Sequence, residues 1–217
     1  MELYIRSERD QMKKIISKIL IVILLISSCI GTINVAPVTV NAATKTNWPK
    51  GPSIYGQTGV LIEASTGTVL YDKKCNKKMY PASITKIMTA LLTIENCKMD
   101  EMVTFSDATI HSIQYGDANM GCSVGEKMTV KDCLYALMLQ SANEVATALG
   151  EHIAGSTKNF AEMMNKRAKE AGALNTHFAN ANGLHDPNHY VTAYDMAMIT
   201  RAASKYSVFN DIVNTTT

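Results

Sequence analysis

An α+β fold is predicted by two observations. Short runs rich in β-branched residues, Gly59 to Glu63, Thr68 to Tyr71 and Met102 to Phe105, come first along the chain. From Thr129 onward the apolar spacing changes to that of helices, with capping residues ahead of each run and glycines behind. Strands and helices that are segregated rather than alternating give an α+β domain. The strands are too few for a complete sheet, so at least one face of the first strand pair is expected to lack partners.

The first two strands read as a hairpin, joined by the small polar turn Ala64-Ser65-Thr66-Gly67. Lys73 to Lys78 is a polar connection. Tyr80 to Leu92 reads as a helix entered at Pro81, a first helical position where proline's missing N–H costs nothing. Ile84, Ile87, Met88, Leu91 and Leu92 fall at the spacing of one buried stripe. Asp107 to Glu126 is expected to be irregular. Thr129-Val130-Lys131-Asp132 is a capping-box pattern ahead of a helix to Gln140, with Leu134, Leu137 and Met138 as its stripe. Ser141-Ala142-Asn143 looks like a break, after which Glu144 to Ala154 forms a helix closed by Gly155. Thr157 to Ala171 is another, with Phe160, Met163, Met164 and Ala168 inward and Gly172 as its stop. Leu174 to His189 is loop-rich. Thr192 to Asp195 caps a last helix to about Ala203, with a short helical piece after it.

At 217 residues, 47% of them hydrophobic and 18% charged, the chain is long enough for one well-buried domain. Of 21 basic and 19 acidic residues, five and three fall in 1–42, leaving 16 of each in 43–217. A body of zero net charge has no cationic excess to neutralise phosphates, which argues against a nucleic-acid partner. The basic excess belongs to a signal: Lys13, Lys14 and Lys18 precede the apolar run Ile19 to Ile26, and small residues follow to Ala42. Residues 1–42 therefore read as a signal peptide, its true start at Met12 or Met1, with cleavage after Ala42. Lipidation at Cys29 and an uncleaved anchor are the rival readings, and all three place the protein outside the cytoplasmic membrane. Residues 43–52 read as a linker and 53–217 as the domain. Cys75, Cys97, Cys122 and Cys133 form no Cys-x-x-Cys pair, so metal and redox motifs are not indicated; disulfides and buried thiols both remain open.

Two short patterns carry candidate chemistry. Ser83 and Lys86 sit three apart at a helix start, so their side chains share one face. A hydroxyl beside an amine at the positive end of a helix can be an activated nucleophile, provided that burial lowers the lysine's pKa. The pattern is common by chance, and a helix start with an exposed lysine would look the same. Ser141 and Asn143 at the helix break are ordinary caps on one reading. On the other they form the lip of a cleft aimed at Ser83.

Taken together, Ser83-Ile84-Thr85-Lys86 and Ser141-Ala142-Asn143, 58 residues apart, resemble the first two signatures of the penicillin-recognising serine enzymes, Ser-x-x-Lys and Ser-x-Asn. The hairpin before Pro81, the run Leu137 to Glu144, and Asn182-Gly183-Leu184 through Asp195 resemble the D-alanyl-D-alanine carboxypeptidases of peptidase family S11, the low-molecular-weight penicillin-binding proteins. The resemblance covers about residue 53 to the end. It implies a β-lactamase/transpeptidase-like fold and a carboxypeptidase that trims the terminal D-alanine from peptidoglycan stem peptides and is acylated by β-lactams. Ser83 is then the nucleophile and Lys86 its base. Ser141 is the proton relay to the leaving D-alanine, and Asn143 binds the substrate chain. No cofactor and no metal are implied. The resemblance does imply an extracytoplasmic location, with membrane association through a C-terminal anchor that relatives often carry.

The family's third signature, Lys-Thr-Gly, does not occur; Lys45-Thr46-Asn47 lies upstream. The sequence thus reads as truncated before that motif, with an inactive cell-wall-binding module as one alternative. A class A β-lactamase is the other. It requires Glu-x-x-Leu-Asn, to which Glu170 through Asn175 is one residue too long. His185 and His189 are separated by Pro187, which prevents the helix a zinc-protease pair would need.

Overall fold

The computed structural model describes residues 51–216; the expected signal peptide and most of the linker lie outside them. Strands β1 (Gly59–Ile62) and β2 (Val69–Lys73) form the predicted antiparallel hairpin, with an irregularity between Leu61 and Ile62. Its turn is organised by Glu63, whose carboxylate accepts from the N–H and hydroxyl of both Ser65 and Thr66. These bonds, the Thr66 hydroxyl foremost, pull the carboxyl down to about 2. Leu61, Val69 and Leu70 are exposed, so the hairpin is only partly covered, as its strand count implies. A second ladder pairs β3 (Met102–Thr104) with β4 (Lys127–Thr129), a three-residue strand whose pattern is too short to read in the sequence.

Seven α-helices are described: α1 (Lys86–Asn96), α2 (Asp107–His111), α3 (Val130–Leu139), α4 (Asn143–Ala154), α5 (Thr157–Glu170), α6 (Ala193–Ala203) and α7 (Ser207–Val213). The expected caps form. The hydroxyls of Thr129 and Thr192 accept from the N–H of Asp132 and Asp195, and Gly155 ends α4 at φ +72°. Helix α2 falls in the stretch expected to be irregular. It is five residues long, too short for a stripe, and is started by the Ser106 hydroxyl accepting from Thr109 N–H.

Helix α1 is the centre of the domain, packed by α3, α4, α5, α6 and α7. Met88, Ala90 and Leu91 are fully buried in one core with Phe105, Leu134, Phe160 and Phe178. A helix surrounded in this way has no polar face to spare. Its hydroxyls turn to backbone carbonyls instead, Thr89 to Ala181 and Thr93 to Thr89. The arrangement places the start of α1 beside the start of α4.

One expectation needs correction. The chain does not enter α1 as a regular helix from Pro81: Ala82 takes φ +49°, and Ala82–Thr85 is a 3₁₀ turn. The tighter winding shifts the phase of the stripe. Ile84 faces solvent, 49% exposed, while Thr85 and Lys86 turn inward at 0% and 2%. Cys75, Cys97, Cys122 and Cys133 are free thiols. Among the described residues no helix is long and apolar enough to cross a membrane.

Candidate active site

Ser83 lies on the exposed side of the 3₁₀ turn, and Lys86 begins α1 beneath it. The Lys86 Nζ reaches three acceptors: Ser83 Oγ at 3.3 Å, Asn143 Oδ1 at 2.7 Å and the Asn182 carbonyl at 2.8 Å. An ammonium has three protons, so the charged lysine is fully used. When the lysine is neutral it retains two protons. The two shorter bonds, to Asn143 and Asn182, hold these, and the lone pair then faces the Ser83 hydroxyl. Because the ammonium only donates, the Asn143 amide must turn its oxygen to Nζ. Its NH₂ is left to a cleft of about 330 Å³ lined also by Tyr80, Ser83, Asn182 and His185.

Burial lowers the Lys86 pKa to about 8, against the opposing pull of the Asp117 and Glu144 carboxylates. Neither acid is apparent from sequence spacing. Glu144 is 1% exposed, with one oxygen accepting from Met120 N–H and the other without a partner. Ser141 takes φ +57°, and its hydroxyl is buried with no hydrogen bond to Ser83, Lys86 or any other described group. The structure thus brings Ser83, Lys86 and Asn143 together and leaves the Ser141 hydroxyl unengaged.

The Asn182 carbonyl is the member of the site that sequence reasoning missed. Its only sequence signal is the Asn-Gly turn. Gly183 has φ +90°, and a Cβ there would collide with the Ala82 carbonyl. The absence of that Cβ lets the Asn182–Leu184 turn close against the Ser83 turn.

The buried His189 holds the same wall from behind. Its Nδ1 accepts from Ala179 N–H at 3.1 Å, so its protonated Nε2 donates to the Thr85 hydroxyl at 2.8 Å. Both ring nitrogens therefore have protein partners. His185 packs its ring edge-on to Tyr80. Burial pushes the His189 pKa down to about 4. The unfolded chain binds a proton below about 6.5 that the folded ring refuses, so stability falls as pH drops from 6.5 towards 4. A loss of roughly 2–3 kcal/mol across that window is expected. Urea unfolding at pH 7 and pH 4.5 will read it, and His189→Gln should flatten the difference.

Residues 43–216 match the family described as D-alanyl-D-alanine carboxypeptidase, peptidase S11. The chain belongs to this family. It is 40% identical over 164 residues to the D-alanyl-D-alanine carboxypeptidase DacF of Bacillus subtilis, an alignment covering 73% of this chain and 41% of DacF. It is 34% identical over 194 residues to the D-alanyl-D-alanine carboxypeptidase of Streptomyces sp. strain K15, covering 85% and 64%. Among solved structures it superposes on penicillin binding protein 6B from Escherichia coli at TM-score 0.72 and 28% identity, covering 77% of this chain and 55% of that one. A serine-to-alanine mutant of the Streptomyces K15 DD-transpeptidase superposes at 0.71 and 31%, covering 75% and 66%. The fold is accordingly that of the D-alanyl-D-alanine carboxypeptidases and transpeptidases, α+β with a partial sheet. The chain spans about two fifths of the length of the DacF, DacA, DacC and DacD carboxypeptidases it matches, from 39% to 45%.

Proposed function

We propose that this chain carries the acylation centre of a serine-type D-Ala-D-Ala carboxypeptidase acting on peptidoglycan stem peptides outside the cytoplasmic membrane. The observation that carries the reading is the buried, low-pKa Lys86 amine 3.3 Å from the Ser83 hydroxyl, in a chain of this family. Neutral Lys86 takes the Ser83 proton as Oγ attacks the carbonyl of the penultimate D-alanine. The N–H of Ser83, in a first turn with no carbonyl to bond within the helix, serves the developing oxyanion. Asn143 presents its amide NH₂ to the substrate chain. Ser141 relays a proton to the leaving D-alanine, for which its unpartnered hydroxyl must rotate into the cleft. Water then hydrolyses the ester on Ser83. Residues 1–42 act as the export signal in this reading. Lipidation at Cys29 would keep the same compartment.

β-Lactams supply the test. Incubation of the folded chain with a penicillin is expected to add the mass of the intact drug, mapped by peptide mass spectrometry to Ser83 and absent from Ser83→Ala. A folded chain that takes up no drug, or takes it up elsewhere, refutes the reading. The chain holds no Lys-Thr-Gly tripeptide, so none of its groups is assigned to the substrate's terminal carboxylate. The Ser141 hydroxyl, buried and bonded to neither Ser83 nor Lys86, favours as a second reading a module that binds cell-wall peptide without acylation or release of D-alanine. A class A β-lactamase is disfavoured because Glu170 is exposed at the far end of α5 and does not line the cleft.

A further inference from the structure

We propose that Cys97, Glu101 and His152 form a binding site for one zinc-class divalent cation, separate from the Ser83 cleft. The three donors are 4 and 51 residues apart in sequence and come from different segments. Cys97 caps the end of α1, Glu101 precedes β3, and His152 lies in the last turn of α4. One ligand atom from each lies within 4.8 Å of the other two. A tetrahedral zinc ion with bonds of about 2.0–2.3 Å separates its ligand atoms by about 3.3–3.8 Å. His152 Nε2 and Glu101 Oε2 are already 3.3 Å apart. The Cys97 Sγ lies within 4.8 Å of both and has to close by at most about 1 Å.

The surroundings hold the donors in place. Glu101 is oriented: its Oε1 accepts from Lys98 N–H at 2.9 Å, which leaves Oε2 facing the imidazole. A hydrogen bond that fixes one carboxylate oxygen while the other points at the site is the usual support for a ligating acid. Its backbone is fixed as well, since the Glu101 carbonyl accepts from Val130 N–H and the Cys97 N–H donates to Thr93. On binding, the thiol proton passes to solvent as the sulfur–metal bond forms. Thiolate and imidazole donors select zinc and its neighbours over calcium and magnesium. His152 is partly exposed, so water completes the fourth position.

The site joins the far ends of α1 and α4, the two helices whose near ends carry Lys86 and Asn143. It lies roughly 16 Å from Lys86 along α1, a residue rise of 1.5 Å over eleven positions. The cation would therefore hold the two helices together without entering the chemistry, and the inference does not depend on the proposed activity.

The test uses the full chain, reduced and stripped with a chelator. Titration with Zn²⁺ in a calorimeter is expected to show one equivalent bound, with a raised thermal midpoint. Co²⁺ should give a thiolate-to-metal charge-transfer band. Cys97→Ser and His152→Gln are each expected to weaken binding by about tenfold or more. Cys97→Ser should also remove the band. Cys122→Ser should leave both unchanged. No saturable binding, a band that survives Cys97→Ser, or an equal loss in Cys122→Ser overturns the proposal.

Discussion

Replacing Lys86 by alanine is expected to slow acylation of Ser83 by a penicillin by about 10²–10⁴-fold, the range that a positioned base contributes. In the unaltered chain the acylation rate should rise with pH and level off above about 8, where the buried amine has lost its proton. The sign follows from the direction of the shift. Burial disfavours the ammonium, so at pH 7 roughly one lysine in ten is neutral at this site, against about one in a few thousand in water. Rapid-quench mass spectrometry between pH 6 and 10 measures the profile. A pH-independent rate, or a midpoint near 10.5, would remove Lys86 from the role of base. The alanine variant also leaves Asn143 Oδ1 and the Asn182 carbonyl without a donor, so a second variant separates base from scaffold. Lys86→Arg keeps donors at the position but stays protonated, and it should be as slow as alanine. Normal acylation by Lys86→Arg would mean that the lysine serves as a donor and not as a base.

Gly183→Ala is expected to destabilise the domain by roughly 3 kcal/mol or more, a large effect for adding one methyl group. Two causes act together. At φ +90° any L side chain is strained, and here the new Cβ would meet the Ala82 carbonyl, which belongs to backbone and cannot swing aside. Relief requires the Asn182–Leu184 turn to withdraw from the Ser83 turn, and Lys86 then loses the Asn182 carbonyl. The variant should therefore lower both the denaturant midpoint and the acylation rate. Stability near that of the unaltered chain would show that the close approach of the two turns is not needed.

Local signals in the sequence are sufficient wherever the structure is local. The caps at Thr129 and Thr192, the stop at Gly155 and the Glu63–Tyr71 hairpin each depend on groups a few residues apart. The same logic places Ser83 and Lys86 on one face. It fails at the phase of that helix, because a regular 3.6-residue period does not hold where Ala82 and a 3₁₀ turn intervene. Ile84 is expected inward and lies outward, while Thr85, a polar residue, is wholly buried because His189, 104 positions later, supplies its partner. No window of sequence contains that pair. The ligand cluster of Cys97, Glu101 and His152 is hidden from the sequence for the same reason.

What the sequence determined alone is the family, the order of helices and strands, and the identity of a hydroxyl and an amine one turn apart. It also contained the two signatures and the Asn-Gly turn that carry the resemblance. What only the tertiary structure decided is whether that amine can work as a base. The lowering of the Lys86 pKa is a desolvation effect, and desolvation requires neighbours. Here they are the helices packed around α1; Asn143 at the start of α4 and the Asn182 carbonyl, 57 and 96 residues further on, accept from the amine that burial leaves there. A lysine three residues after a serine is a common pattern; a lysine 2% exposed, with its amine shared among three oxygens, exists only once the helices have packed around it.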